Sequence, residues 1–210
     1  IKGYGGTGTA NITDPDRRIQ KDDIDEVVEN ASHISIPPEY QVLNSIHGNF
    51  LLDGIRRTSN PENQAADKLE VFSYIICGNR NSVENFCIPL RELGYDKPIP
   101  VFGAIASANG ALTEEEMKHG ILIIDVGAGK TEYILFHDSC ALSCGVLPVG
   151  TEHLANDISL GLDLNISFAR KIITEQIHTY NKEHGMPFIP IDSAIGSRKV
   201  PVSSVEVIME

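Results

Sequence analysis

The sequence predicts an α/β protein in two parts, a small α+β module followed by a region organised around a glycine-turn hairpin. Two observations carry this. Residues 1–97 read as helix, strands and helix, with apolar positions switching between helical and strand spacing. Residues 121–136, ILIIDVGAGKTEYILF, then place two apolar, β-branched runs on either side of the turn Asp125-Val126-Gly127-Ala128-Gly129-Lys130-Thr131.

The elements follow in order. Gly3-Tyr4-Gly5-Gly6-Thr7-Gly8 satisfies the G-x-G-x-x-G pattern, but a dinucleotide site needs a strand before it and a helix after it. Thr13-Asp14-Pro15-Asp16 is a turn instead, so the segment reads as a flexible or extended lead-in. Ile19 to Ser32 reads as an amphipathic helix with Ile24, Val27, Val28 and Ala31 on one face. Pro37-Pro38 stops it. Gln41–Ile46 and, after a break at Gly48, Phe50–Leu52 read as separate strands. Asn60–Asp67 is a polar loop and Leu69–Cys77 a long strand.

Asn81–Leu93 is a second helix, expected to point Val83, Phe86, Cys87 and Leu90 inward, with Pro89 as a kink and Gly94 as its cap. The module's sheet is left with one open face. Pro98-Ile99-Pro100 starts a short strand, and Ala104–Leu112 is a small-residue helix. Thr113 caps a further turn that opens on Glu114, Glu115 and Glu116. After the hairpin come a third strand (Cys140–Val149), a helix from Glu152 to about Leu160, and a helix capped by Asn165 from Ile166 to about Asn181. The tail reads as loop until Ser203–Met209.

Composition narrows the function classes. The chain has 210 residues, 41% of them hydrophobic, and a net charge of -12 with pI near 5.0. No cluster of Lys and Arg offsets that charge, which argues against a nucleic-acid binder. No apolar run is long enough to span a membrane, and no signal-peptide pattern opens the chain. It begins with Ile, which reads as a fragment. Cys77, Cys87, Cys140 and Cys144 form no C-x-x-C and read as reduced thiols. The seven histidines show no zinc spacing.

The hairpin carries the chemistry. Gly129-Lys130-Thr131 imitates the end of a Walker A loop, but Ile124 stands where that loop needs its first Gly, and a strand follows instead of a helix. Backbone N–H groups in a glycine turn can point at an anion without a Cβ in the way, and an Asp beside them can hold magnesium through water. An ordinary glycine-rich hairpin is the competing reading of the same residues.

Several segments in order resemble the bacterial cell-division FtsA family, of the actin, MreB and heat-shock chaperone ATPase superfamily. They are Ile12-Thr13 through Ala31 (a short strand, then the insert helix), Val42-Leu43 with Leu52-Asp53-Gly54 and Asn60-Pro61, Ala106-Ser107-Ala108 with Leu112-Thr113-Glu114-Glu115-Glu116, and Leu147-Pro148-Val149-Gly150 with Asn156-Asp157-Ile158. The resemblance implies a fragment of an actin-like ATPase fold. Residues 1–97 would be a strand-helix-strand-strand insert, 98–120 a return into the first lobe, and 121–210 part of the second lobe.

The resemblance also implies a nucleotide site. Asp125 would hold magnesium through water; Gly127, Ala128, Gly129, Lys130, Thr131, Gly150 and Thr151 would face the nucleotide. ATP and magnesium would belong to the full-length protein, with weak turnover at most and none bound by this fragment alone. FtsZ and other division proteins would be partners, and the insert would serve self-association. The place would be the cytoplasmic side of the cell membrane at the division site. Membrane contact would come only through a C-terminal segment absent here, and nucleic acid is not expected.

Departures from the family pattern bear on this. Ala128 replaces a Gly, which suits only a negative φ; Lys130 replaces a Thr and either attracts phosphate or points to solvent; Glu132 replaces an Asp. Gly150-Thr151 stands for a Gly-Gly pair. Arg170 and Ile173 stand where the family carries the Glu and Lys that face the adenosine. The alternative is therefore a PilM-like or degenerate adaptor without nucleotide turnover. A sugar-kinase-type phosphotransferase would need a catalytic base and a sugar pocket, and neither is seen.

Overall fold

The computed structural model describes residues 1–176, 188–193 and 196–209. Contacts divide them into two units, one made of Ile1–Asp125 with Glu132–Val146, the other of Val126–Thr131 with the described residues from Leu147 on.

The first unit opens with strand β1 (Lys2–Asn11), helix α1 (Lys21–Ser32), β2 (Tyr40–Leu52), β3 (Arg56–Thr58) and β4 (Lys68–Asn79). These strands form a sheet in the order β1-β4-β2-β3, antiparallel throughout. The glycine-rich lead-in is thus a full strand, paired with β4 from Lys2↔Cys77 to Asn11↔Lys68. It ends before Ile12, so the short strand expected at Ile12-Thr13 is displaced into the glycine run. The reason is steric. A Cβ at Gly6 would stand 2.0 Å from the Ala31 carbonyl oxygen, and one at Gly8 would stand 1.9 Å from that of Val27. Those glycines let α1 lie directly on β1.

Val27 and Ala31 are buried there, as their helical spacing predicts, with Leu52, Leu69 and Val71 beneath them. Each fully buried Val or Leu side chain here contributes roughly 1.5–3 kcal/mol. Gly48 does not divide β2 in two; the register shifts between His47 and Phe50, a bulge inside one strand.

Helix α2 (Arg80–Glu92) is capped by the Asn79 side chain, 3.1 Å from the Ser82 N–H, and ends at Gly94 with φ +93°. Cys87 is buried, but Phe86 is 79% exposed and Leu90 41% exposed. The inward reading of these two is corrected: the Val83 side chain lies beside Gly78 at the end of β4 and Cys87 is buried, while Phe86 and Leu90 lie outside the buried core. Residues 98–101 form no strand either, since prolines at 98 and 100 have no N–H to give a ladder.

Helix α3 (Gly103–Ala111), α4 (Glu114–His119), β5 (Ile121–Val126), β6 (Thr131–His137) and β7 (Cys140–Leu147) follow. Thr113 and Glu116 form a reciprocal capping box at the start of α4. The order β5-β6-β7 makes a second sheet. Tyr74 and Ile76 of β4 pack with Ile134, Phe136, Cys140 and Ala141 of this sheet and with Ala104, Ile105 and Ala108 of α3. The face of the insert sheet expected to stay open is therefore covered along Tyr74 and Ile76.

In the second unit, α5 (Thr151–Leu162) and α6 (Ile166–Lys171) lead into a wide helical turn (Ile172–Gln176). The Asn165 side chain accepts from the Ser167 N–H at 2.9 Å, as expected of the cap. The expected continuation of this helix to Asn181 lies, from residue 177, outside the described residues. Strands β8 (Phe188–Ser193) and β9 (Gly196–Pro201) then pair antiparallel before α7 (Val202–Met209). This hairpin corrects the loop reading of the tail. Pro190 and Pro201 hid it, yet a two-stranded sheet has only edge strands, where proline is tolerated. Ala155, Ile158, Ala169, Ile172, Ile189, Val200 and Val205 form its core. Among the described residues, no helix is long and apolar enough to cross a membrane.

Candidate functional site

Apolar alternation brings the chain along β5 to Asp125, and the glycines let it reverse within Gly127–Lys130 before β6 begins. A strand, not a helix, follows the turn, so the hairpin reading holds and the Walker A reading does not. The Gly127 N–H donates to the Lys130 carbonyl at 2.9 Å and closes the turn. Ala128 does not have a positive φ, which satisfies the condition for a Cβ there.

The turn is tied to the start of α5 within the second unit. The Thr151 N–H donates to the Gly127 carbonyl at 3.0 Å, and the Glu152 N–H to the Ala128 carbonyl at 2.9 Å. These carbonyls occupy N–H groups that a helix N-terminus otherwise leaves open. A Cβ at Gly150 would stand 2.4 Å from both carbonyl oxygens, so glycine at 150 is required by packing. The His153 Nδ1 accepts from the Gly150 N–H at 3.2 Å, and the Thr131 hydroxyl donates to the Val149 carbonyl at 2.8 Å.

Six of the residues singled out from the sequence, Gly127, Ala128, Lys130, Thr131, Gly150 and Thr151, thus belong to one hydrogen-bonded or closely packed assembly. The seventh, Gly129, sits at the tip of the turn with open space around its Cα. Among the described residues, the N–H groups of Ala128 and Gly129 take no part in it. Lys130 is exposed and contributes its carbonyl.

Asp125 is half-buried in the first unit. Its Oδ2 accepts from the Ser107 hydroxyl of α3 at 2.7 Å, and its Oδ1 has no partner among the described residues. Ser107 lies in a quoted sequence motif, but nothing in the sequence announced this contact.

Arg170, on α6, turns its guanidinium onto Glu152 of α5. Its Nε lies 2.9 Å and 3.1 Å from the two carboxylate oxygens, and its second nitrogen reaches Oε1 at 2.5 Å. Hydrogen bonding to Arg170 holds the Glu152 carboxyl below the usual carboxylate range. Ile173 packs half-buried against the core of the second unit.

Comparison with known proteins matches residues 1–77 to the SHS2 domain inserted in FtsA and residues 122–207 to the cell division protein FtsA. Together the two matches take in most of the chain. The chain belongs to the FtsA family. It is 32% identical to FtsA of Borreliella burgdorferi over 159 residues, which cover 76% of this chain and 38% of the relative. It is 27% identical to FtsA of Bacillus subtilis over 176 residues, covering 84% and 40%. The chain therefore spans about two fifths of the curated FtsA relatives it matches.

Among solved structures it resembles the PilM-PilN type IV pilus biogenesis complex (TM-score 0.46, 16% identity, 85% of this chain and 49% of that one). It also resembles MreB 5 of Spiroplasma citri bound to AMPPNP (TM-score 0.47, 21% identity, 62% and 42%). The SHS2 match falls on β1 to β4, so the covered sheet of the first unit is the inserted domain of FtsA proteins.

Proposed function

We propose that this chain is the part of an FtsA-type, actin-like scaffold that holds the phosphates of ATP on the Gly127–Lys130 turn. The observation that supports the reading is the way the turn uses its polar groups. The Gly127 N–H closes the turn and the carbonyls of Gly127 and Ala128 fix it to α5, while the N–H groups of Ala128 and Gly129 find no partner among the described residues and are available to an anion. Gly127, Thr131, Gly150 and Thr151 then hold the turn in shape, and Ala128 and Gly129 meet the phosphate oxygens. Lys130 adds positive charge from the rim.

The donor set fits a hydrated magnesium ion, because Asp125 has one carboxylate oxygen fixed by Ser107 and the other open. When bound, the ion would supply positive charge against the phosphates. Asp125 would accept hydrogen bonds from its water shell, with Ser107 restraining Asp125. On this reading the full-length protein works at the cytoplasmic face of the membrane, with FtsZ and other division proteins as partners.

The adaptor reading draws on a specific observation too. Arg170 is engaged by Glu152 and Ile173 lies against the apolar core, so neither presents the hydrogen-bonding pattern expected of an adenosine contact. Calorimetry of the full-length protein with ATP and magnesium, beside Asp125→Ala, separates the two. Magnesium-dependent binding that Asp125→Ala weakens at least tenfold supports the nucleotide scaffold. No binding by the unaltered protein leaves the adaptor. Co-sedimentation with FtsZ polymers tests the partner; protein left in the supernatant would count against it.

A further inference from the structure

We propose that Ser107 is a positioning residue for the magnesium side of the nucleotide site, acting through Asp125; this rests on the nucleotide reading above. The contact is a hydroxyl-to-carboxylate hydrogen bond of 2.7 Å between α3 and the end of β5, both within the first unit. A serine inside a helix commonly returns its proton to a carbonyl of the preceding turn. Ser107 instead gives it to Asp125.

The helix that carries it is well anchored. Phe102 at its start is buried and donates its N–H to the Asn44 side chain at 3.0 Å; Ala104, Ile105 and Ala108 lie in the core. A Cβ at Gly103 would meet Glu132 Oε2 at 2.1 Å, so the first turn of α3 also sits tightly against a buried carboxylate. Ser107 therefore offers a fixed donor. A carboxylate held at Oδ2 has its rotation about the Cβ–Cγ bond restricted, and Oδ1 is presented in one direction to a metal-bound water. Released, the same carboxylate samples other orientations and must be ordered whenever the ion binds.

A merely structural role, satisfying one oxygen of a half-buried carboxylate, predicts a different outcome and is separated by experiment. ATP affinity of the full-length protein is measured by calorimetry across a magnesium titration and again in EDTA, with melting temperature recorded for each variant. Ser107→Ala should raise the magnesium concentration needed for half-maximal binding by about tenfold, the scale of a lost hydrogen bond to a charged group. It should leave affinity in EDTA unchanged, and Ser107→Thr, which keeps the hydroxyl, should restore the magnesium response. If Ser107→Ala does not fold, Ser107→Cys, a weak donor of similar shape, replaces it.

An unchanged magnesium response in Ser107→Ala, with that of Asp125→Ala lost, overturns the positioning role and leaves the nucleotide reading standing. A fall in melting temperature with equal loss of affinity in magnesium and EDTA also overturns it, in favour of a structural role. No binding by the unaltered protein, or none of it dependent on Asp125, overturns the nucleotide reading and this inference together.

Discussion

Gly150 lies against the carbonyl oxygen of Ala128 so closely that a methyl group at 150 would stand 2.4 Å from it. The carbonyl cannot yield freely, because it also accepts the Glu152 N–H at the start of α5. Gly150→Ala should therefore lower stability by about 1–3 kcal/mol, the usual cost of forced overpacking. Gly129→Ala is the control: a Cβ there meets nothing within 4 Å, and its φ is not left-handed. Urea denaturation of the two variants should give a lower midpoint for Gly150→Ala and a nearly unchanged one for Gly129→Ala.

Gly8 occupies the closest approach of α1 to β1. Gly8→Ala would push a Cβ into the Val27 carbonyl and the Ala31 backbone, at 1.9 Å and 2.6 Å. Both contacts are backbone, so the helix must lift and expose Val27 and Ala31. A loss of about 2–4 kcal/mol is expected from the apolar burial given up. Hydrogen exchange would locate it: amides of α1 and β1 should lose protection first.

Ser73 is fully buried on β4, and its hydroxyl has no hydrogen-bond partner among the described residues. An unpaired buried hydroxyl is a cost that alanine removes. Ser73→Ala should be neutral to about 1 kcal/mol more stable, with an unchanged denaturant slope. A clear loss of stability would show that the hydroxyl has a partner, such as an ordered water.

The Glu152–Arg170 pair sets a pH dependence. The folded carboxyl lies below its ordinary value because of the Arg170 hydrogen bonds, so the pair's contribution is present above the unfolded value near 4.5 and is lost as pH falls through the folded one. Arg170→Ala should lower the melting temperature by about 1–2 °C at neutral pH, since Arg170 is exposed, Glu152 is partly exposed and the pair is screened. The difference from the unaltered protein should close as the solution is acidified below the unfolded value. A gap that persists there would assign the effect to packing of the arginine stem.

Much of this fold was legible wherever one pattern had one cause. Val27 and Ala31 recur at helical spacing because they face a sheet, and Thr113 with Glu116 is a local capping box that needs nothing from afar. The hairpin was legible because β-branched and aromatic residues follow the glycine turn. What escaped depends on contacts distant in sequence. The glycines of β1 look like a loop until α1 is laid over them. Phe86 looks inward by its spacing, yet Cys87 is the residue of α2 that is buried. β8 was hidden by Pro190, whose penalty vanishes in a strand with only one neighbour.

The candidate site divides in the same way. Asp125 and the turn were visible as residue types, but the partnership of Asp125 with Ser107 and of Arg170 with Glu152 was not. Opposite charges at 152 and 170 were the single available signal, and nothing in a single sequence marks them as neighbours.

The pairing of Lys2 with Cys77 has a consequence for how the inserted domain is made. Among the strands of this sheet, the first in sequence should be the last to be fixed in place. β2 and β4 can close on each other across the intervening loop, whereas β1 must wait for its partner, separated from it by nearly the whole module. Until then its glycine-rich backbone is an unpaired edge, a target for chaperones or for a neighbouring nascent chain. Pulse-labelled exchange during refolding should find β2–β4 amides protected before those of β1; simultaneous protection would mean that the sheet assembles in one step.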